Sequence, residues 1–523
     1  MRFATRQPII ALLIAITFAL PQVLAQDAAS LVPGNAAIFI EVNDLATLRK
    51  DWASDPLAKF LQSNLPMTPE PEGWVKVQKV LGLSGDEVVD RFFGKTVALV
   101  IFNPGDDDPG MVLTKISDAD MTLAIEKLQL KPVKEFAGYR AFKSADDKAH
   151  IALGHGWAIV TQPQYSAAAQ AVLEAKEKPL AESALFKTWL AKLPAGDRAA
   201  TFYVRQNDDN VHTLGVYRKE RDLTLQYRGK APELAALFAN LGTGGSLDFG
   251  PLPASTIAAI TSNIVIPPGP NAKQLDRMFP GKSFEKDIHS KMASPAVVFL
   301  GEVTGDKLDP NPGLSLPVVG VSLKLKDPKV ADDLTKAIDG LMFVANFAAS
   351  KWQAPLIEVK AQQHGEITYQ NANVGIALAH RTERAEIQSL TLTYGRVGEW
   401  YVICTQDQFY KQCIDSHLDS TQSLIASRPF TSMGLKNHGE PIATAVLKPS
   451  ALAAHMETWV AHWKKVRPQV VEASDALEPT TPEAQLVRGA RVVSGLLDHY
   501  QSMSLQAYRD GEGIAAQADV VRK

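Results

Sequence analysis

One stretch of this chain occurs twice. Residues 156–204 align without a gap on residues 400–448, at a constant offset of 244. Thr161-Gln162-Pro163-Gln164-Tyr165 faces Thr405-Gln406-Asp407-Gln408-Phe409, Ser183 faces Ser427, Phe186 faces Phe430, and the run Ala199 to Val204 faces Ala443 to Lys448. Internal similarity constrains a fold more than composition does, because both copies must reach the same order of elements. The shared residues are those that a strand, a helix cap and a second strand require, and none is a catalyst by type. The repetition therefore speaks to architecture and leaves function open.

The flanking signals recur in the same order. The first copy opens on the turn Leu31-Val32-Pro33-Gly34-Asn35, followed by the β-rich run Ala36 to Val42 and by Asn43-Asp44, which caps a helix carrying Leu45, Leu48, Trp52 and Leu57. The second opens on Leu252-Pro253-Ala254-Ser255 and continues through Thr256 to Ile266. Gly242-Thr243-Gly244-Gly245-Ser246 between them is linker chemistry. Each copy then repeats a buried strand (Val97–Phe102 or Ala296–Leu300), a turn-rich loop (105–110 or 305–313), a return strand (Met111–Lys115 or Val318–Leu325) and a helix capped by Asp118 or Asp327. Short strands follow, around 139–142 and 151–160, or 366–369, 376–379 and 400–404, and a hairpin closes each copy. Short turns join most strands, so the expected fold is α+β: two tandem copies of a mostly antiparallel sheet-plus-helices unit, over 26–245 and 246–523.

Two departures separate the copies. Tyr217 pairs with Tyr508 at an offset of 291, so about 47 residues are added after Lys448. The addition, about 449–503, reads as an αα-hairpin. Its first helix sets Leu452, Met456, Trp459 and Trp463 on one face, and its second starts at Thr481-Pro482-Glu483 and aligns Leu486, Ala490, Val493, Leu497 and Tyr500. An acidic stretch, Glu472 to Glu483, joins them. Trp459 and Trp463 must bury themselves on their own sheet or on a partner, which makes them a candidate partner face. The second departure, the polar His380 to Arg384, is expected to lengthen a hairpin.

Residues 1–25 read as a secretory signal peptide, with Arg2 and Arg6, an apolar run from Ile9 to Leu20, and Val23-Leu24-Ala25 before the cleavage point. That run is too short to span a bilayer, and no later stretch is long and apolar enough to do so. The expected location is the periplasm or the exterior. Removing the leader takes the formal net charge from −3 to −5, so the chain lacks the basic footprint that nucleic acid demands. With 523 residues, 46% hydrophobic, it can bury two or more cores.

Motifs for chemistry are sparse. Ser283-Phe284-Glu285-Lys286 matches S-x-x-K but lacks the companion S-D-N and K-T-G motifs, so a helix turn is the plain reading. The Gly242–Gly245 cluster has neither the third glycine of a dinucleotide loop nor the Lys-Ser/Thr of a phosphate loop, and no cofactor is implied. His455 and His462 lie seven apart with Glu457 between them, short of a third ligand, and Asp106 to Asp108 lack the alternation of a calcium loop. No metal is expected. The two cysteines, Cys404 and Cys413, face Val160 and Ala169 of the first copy, which favours small core hydrophobes. In an oxidising compartment they also stand as a candidate disulfide. Trp157, Trp400, Trp74 and Trp352 have apolar neighbours and read as core packing.

The chain resembles a family of uncharacterised exported bacterial proteins bearing a domain of unknown function. The resemblance rests on Pro33-Gly34-Asn35-Ala36-Ala37-Ile38-Phe39-Ile40-Glu41-Val42 after a signal peptide, the Gly94 to Phe102 strand, the Asp118 cap and Ser183-Ala184-Leu185-Phe186 before a final strand. It implies a fold of strand–helix units and carries no catalytic residue over. The expectation is an exported, non-catalytic binding or structural protein of the envelope or periplasm, whose partner is a protein or an envelope component. The alternative is a secreted hydrolase with a site assembled from distant residues.

Overall fold

The computed structural model describes residues 28–55, 72–103, 109–144, 146–196, 198–219, 222–230, 248–262, 276–302, 317–382, 390–431, 435, 440–475, 481–511 and 513–523. The leader 1–25, the linker 242–246, Asp106 to Asp108 and the loop 305–313 lie outside the described residues. The fold is mixed α+β, with strands paired antiparallel wherever a register is defined. Two compact units divide the chain: residues 1–235 with 510–519, and residues 236–509 with 520–523.

The first unit is built on ten strands of its own stretch of chain: β1 (Ile38–Asn43), β2 (Thr96–Ile101), β3 (Met111–Lys115), β4 (Lys131–Pro132), β5 (Arg140–Lys143), β6 (His150–Gly154), β7 (Trp157–Thr161), β8 (Arg198–Asn207), β9 (Asn210–Lys219) and β10 (Asp222–Lys230). Their spatial order is β4-β5-β6-β7-β3-β2-β1-β8-β9-β10. β-branched and aromatic residues suit such a pleated, half-buried surface. His155 and Gly156, both at positive φ (52° and 78°), make the two-residue turn that joins β6 to β7, the conformation a right-twisted hairpin needs.

Its helices of eight residues or more are, among the described residues, α1 (Leu45–Ser54), α2 (Glu72–Leu81), α3 (Asp118–Lys127), α4 (Ser166–Leu173) and α5 (Ala184–Ala191). Asp44, at φ 52°, accepts the Thr47 amide and so starts α1, as expected. The cap of α3 is Ser117, whose hydroxyl accepts the Asp120 amide; Asp118, expected there, is the first helical residue. Ser and Asp are both favoured at a helix start, which is why sequence cannot separate neighbours of this kind. On one face α4 and α5 cover Phe39, Val100, Met111, Leu113, Ile159 and Tyr203, with Phe186 edge-on to Phe39 (5.9 Å) and to Tyr203 (5.0 Å). On another, Met121 of α3 packs on Ile116, Phe142 and Leu153.

The second unit contains β11 (Thr256–Ser262), β12 (Met292–Gly301), β13 (Val318–Leu325), β14 (Val359–His364), β15 (Ile367–Ala372), β16 (Leu392–Val397), β17 (Trp400–Cys404), β18 (Glu440–Leu447) and β19 (Tyr500–Asp510). Their order is β14-β15-β16-β17-β13-β12-β11-β18-β19. The last strand, β20 (Gly513–Arg522), places residues 513–519 in the first unit, where it pairs with β10 and where Thr224 and Gln226 donate to Asp519 and Gln517. Two cores flank the second sheet. One gathers Phe299, Trp400, Cys404, Phe409, Tyr410 and Cys413, and the other seats α6 (Val330–Lys351) through Val330, Ala331, Leu334 and Ala337 on Tyr394 and Tyr401.

Residues 376–379, expected as a strand, lie in α7 (Val374–Thr382), which also takes in His380 and so replaces the expected hairpin extension. Ile376-Ala377-Leu378-Ala379 alternates only weakly, and its Leu and Ala favour a helix once tertiary packing allows one. Farther on, α8 (Asp407–Leu418) follows β17. Among its described residues the insert is helical but holds three helices, α9 (Pro449–Val466), α10 (Pro468–Ser474) and α11 (Pro482–Leu497), instead of two. Pro468 stops α9 and restarts the chain at the first position of α10, as a residue without an amide hydrogen can. In α11, Ala484, Val487, Ala490, Ser494 and Leu497 are buried, whereas Leu486 (52%) and Val493 (42%), expected on that face, are exposed. Small side chains let α11 approach α9 and α10 closely, so the buried stripe runs beside the one marked by the largest residues.

Candidate binding groove

Three strands of the first unit, β5, β6 and β7, present two rows of side chains to α4. Residues directly opposite in an antiparallel sheet point to the same face. Ala141 pairs with Ala152 and Ala152 with Ile159, and Val133 continues the row by donating its amide to the Ala141 carbonyl at 2.7 Å. One step along the strands, Lys143 pairs with His150 and His150 with Thr161. The first row is apolar and small; the second is basic and polar.

Between these rows and α4 lies a groove of about 420 Å³, within the range of small-ligand sites. Ser166, Ala169, Gln170 and Leu173 form its helical wall, and Phe136 closes one side. The volume exists because Ala141, Ala152 and Ala169 stand where larger side chains would meet. Its carboxylates are engaged or peripheral. Glu174 accepts from Gln170 at 2.9 Å and pairs with Lys176; the contacts with Lys176 and then Gln170 hold its carboxyl below the ordinary range. Asp147 sits 3.6 Å from the Lys143 amine on the solvent side, and Glu135 lies at the mouth beside Lys134. Thr161 donates to the His150 carbonyl at 3.4 Å, and Ser166 to that of Pro163 at 2.9 Å.

The residues singled out from sequence lie elsewhere. Ser283 caps a single turn, its Oγ accepting the Lys286 amide at 3.5 Å. His455 is half-buried, its Nε2 has no partner and burial lowers its pKa; among the described residues no three His, Cys, Asp or Glu side chains gather as a metal site. Trp157 and Trp400 are buried, as expected of core residues, but Trp352 is 48% exposed under the Arg381 guanidinium. Trp459 and Trp463 are half-buried, their rings 5.6 Å apart, with Arg467 over Trp463.

Cys404 and Cys413 are free thiols, fully enclosed in the second core, so the disulfide is replaced by the small-hydrophobe arrangement. Cys404 donates to the Gln406 carbonyl at 3.3 Å, and burial pushes its thiol up to about 12; burial raises Cys413 as well. A thiolate is the reactive form, so both are expected to resist a thiol reagent in the native protein. Unfolding without reductant should release two thiols. A count of zero would mean a bridge.

Two features escaped sequence reading. Lys448 donates its amine to the Ala254 carbonyl and lies over the Phe430 ring, and burial lowers its pKa to about 8. Along α6, Phe343 (77%), Val344 (63%) and Phe347 (63%) are exposed. No family model, curated protein or solved structure matches this chain. Among the described residues no helix is long and apolar enough to cross a membrane.

Proposed function

We propose that the chain is an exported, non-catalytic binding protein of the bacterial envelope or periplasm, of the uncharacterised exported family it resembles, built from two tandem copies of one α+β unit. Its first copy holds a small apolar ligand in the groove. The duplication is supported by strand order: β4-β5-β6-β7-β3-β2-β1-β8-β9 in one unit and β14-β15-β16-β17-β13-β12-β11-β18-β19 in the other. The aligned segments 156–204 and 400–448 also carry the same succession of strand, helix, short helix and strand.

The observation that carries the binding role is a difference between the copies. Ser166 aligns with Tyr410 in the gap-free alignment. With β7 and β17 matched instead from their first residues, Trp157 and Trp400, strand pairing sets Ile159 against Val402, Ala152 against Gly395, and Ala141 against Tyr369, which lies against Gly395. Tyr369 and Tyr410 are buried with ring centres 4.7 Å apart, so two aromatic rings stand in the second copy where this matching gives the first copy Ala141 and Ser166. A stable fold gains from filling such a space, so leaving it empty calls for another reason. A panel of small apolar molecules tested by thermal shift is expected to stabilise the wild type and not Ala141→Tyr, by about 5 °C or more for a ligand at 100 times its Kd. A panel that moves both proteins equally, or neither, removes the groove from the reading.

The same reading keeps Trp459 and Trp463 as a face for a partner protein or envelope component, supported by their half-buried pairing. The hydrolase alternative has one observation in its favour. Lys448, its amine held toward neutrality, donates to the carbonyl just before Ser255, although the Ser255 hydroxyl is turned to Gln412. Ester hydrolysis that vanishes in Lys448→Met would favour it over the groove.

A further inference from the structure

The groove has two chemically distinct ends, and its ligand must match both. Val133, Ala141, Ala152 and Ile159 form an apolar floor that offers no hydrogen bond to a polar chain. Lys143 and His150, paired across β5 and β6, bring an amine and an imidazole to its edge, with Thr161 beside them. Lys134 adds a second amine at the mouth. Against these, Glu135 beside Lys134 offsets that amine, Glu174 is paired with Lys176, and Asp147 meets Lys143 only at 3.6 Å with most of its side chain in solvent, a weak competitor.

The second unit supplies an internal comparison. With β7 and β17 matched from their first residues, Trp157 and Trp400, one residue off the gap-free alignment, strand pairing sets Lys143, His150 and Thr161 against Asn371, Thr393 and Cys404. There the Asn371 amide donates to Thr393 Oγ1 at 3.0 Å and the pair carries no charge. Thus the Lys143 amine and the His150 imidazole stand where the groove is open, and an uncharged pair stands beside the two tyrosines of the second unit. Bulk and charge differ together, as a ligand with an apolar body and an anionic end would require.

We propose, resting on the binding role above, that the groove of the first unit takes an amphiphilic anion: an apolar chain laid along Ala141, Ala152 and Ile159, with a carboxylate-type head at Lys143 and His150. Decanoate, decyltrimethylammonium and decanol, each titrated as monomers into the full chain, separate the contributions. Decanoate is expected to bind tightest, and Lys143→Met to weaken it about 10-fold or more, the worth of a charge-assisted hydrogen bond. Ala141→Tyr should abolish binding of all three. Because Lys143 is partly in solvent, Lys143→Met tests the head group without disturbing the core. Decyltrimethylammonium binding as well as decanoate, or decanoate affinity unchanged by Lys143→Met, overturns the anionic assignment and leaves the groove standing. Decanoate binding equally to Ala141→Tyr, or to neither protein, overturns both.

Discussion

Phe409→Ala is expected to lower stability by about 3–5 kcal/mol in equilibrium chemical denaturation, the cost of a large aromatic removed from a close-packed core. Phe409 is fully buried on α8 and its ring stacks on Phe299 at 5.4 Å, 18° from parallel. It also lies over Gly301 of β12, where an added Cβ would stand 2.2 Å from the ring. Gly301→Ala in the wild type should therefore cost about 1–3 kcal/mol, since the ring would have to shift. In the Phe409→Ala background the same substitution should cost little, because the methyl group enters vacated space. The double-mutant cycle is thus expected to be strongly non-additive. Additive losses would show that the ring does not hold Gly301 free of a side chain.

Lys448→Met is expected to raise stability at pH 7 and to flatten its pH dependence in mildly alkaline solution. The folded amine has a pKa of about 8, against an ordinary 10.5, because burial strips water from the ammonium. Between these values the unfolded chain binds a proton that the folded chain does not, so wild-type stability from this group rises as pH increases through the window. Below about pH 8 the folded protein must carry the charge in a poorly solvated position. With solvent screening of a partly exposed group allowed for, the penalty is about 1–2 kcal/mol at pH 7. The Ala254 carbonyl loses its donor in the variant, which reduces the gain without changing its sign. The difference between wild type and variant isolates this residue from every other titrating group. A difference that is constant from pH 7 to 10.5 would exclude a depressed amine.

The groove was not legible as a motif. Ala141, Lys143, His150, Ala152, Ile159 and Thr161 have no catalytic or metal spacing, and they meet because β5, β6 and β7 are paired in one register. A partial signal was present in the alignment: Ser166 against Tyr410 and Ala169 against Cys413 are small residues facing larger ones. That substitution pattern marks a missing volume only once the strands that bound it are known. Similarly, the insert was readable as helical from its caps, yet the stripe that α11 buries depends on the neighbours it meets.

Local chemistry is what the sequence by itself determined. Met111–Lys115 and Val318–Leu325 are strands at their expected limits, Thr481-Pro482 opens a helix, and Ser183 caps another, because β-propensity, missing amide hydrogens and side-chain acceptors act over a few residues. Mixed α+β architecture with antiparallel strands followed from the same short-range signals. Tertiary structure alone decided that residues 374–382 form a helix, that Cys404 and Cys413 stay unbridged in a core, and that Lys448 is desolvated. It alone decided which alanines face one another across a groove. These outcomes depend on burial and on contacts between residues far apart in the chain, and the free energy of such contacts is set by geometry that no window of sequence contains.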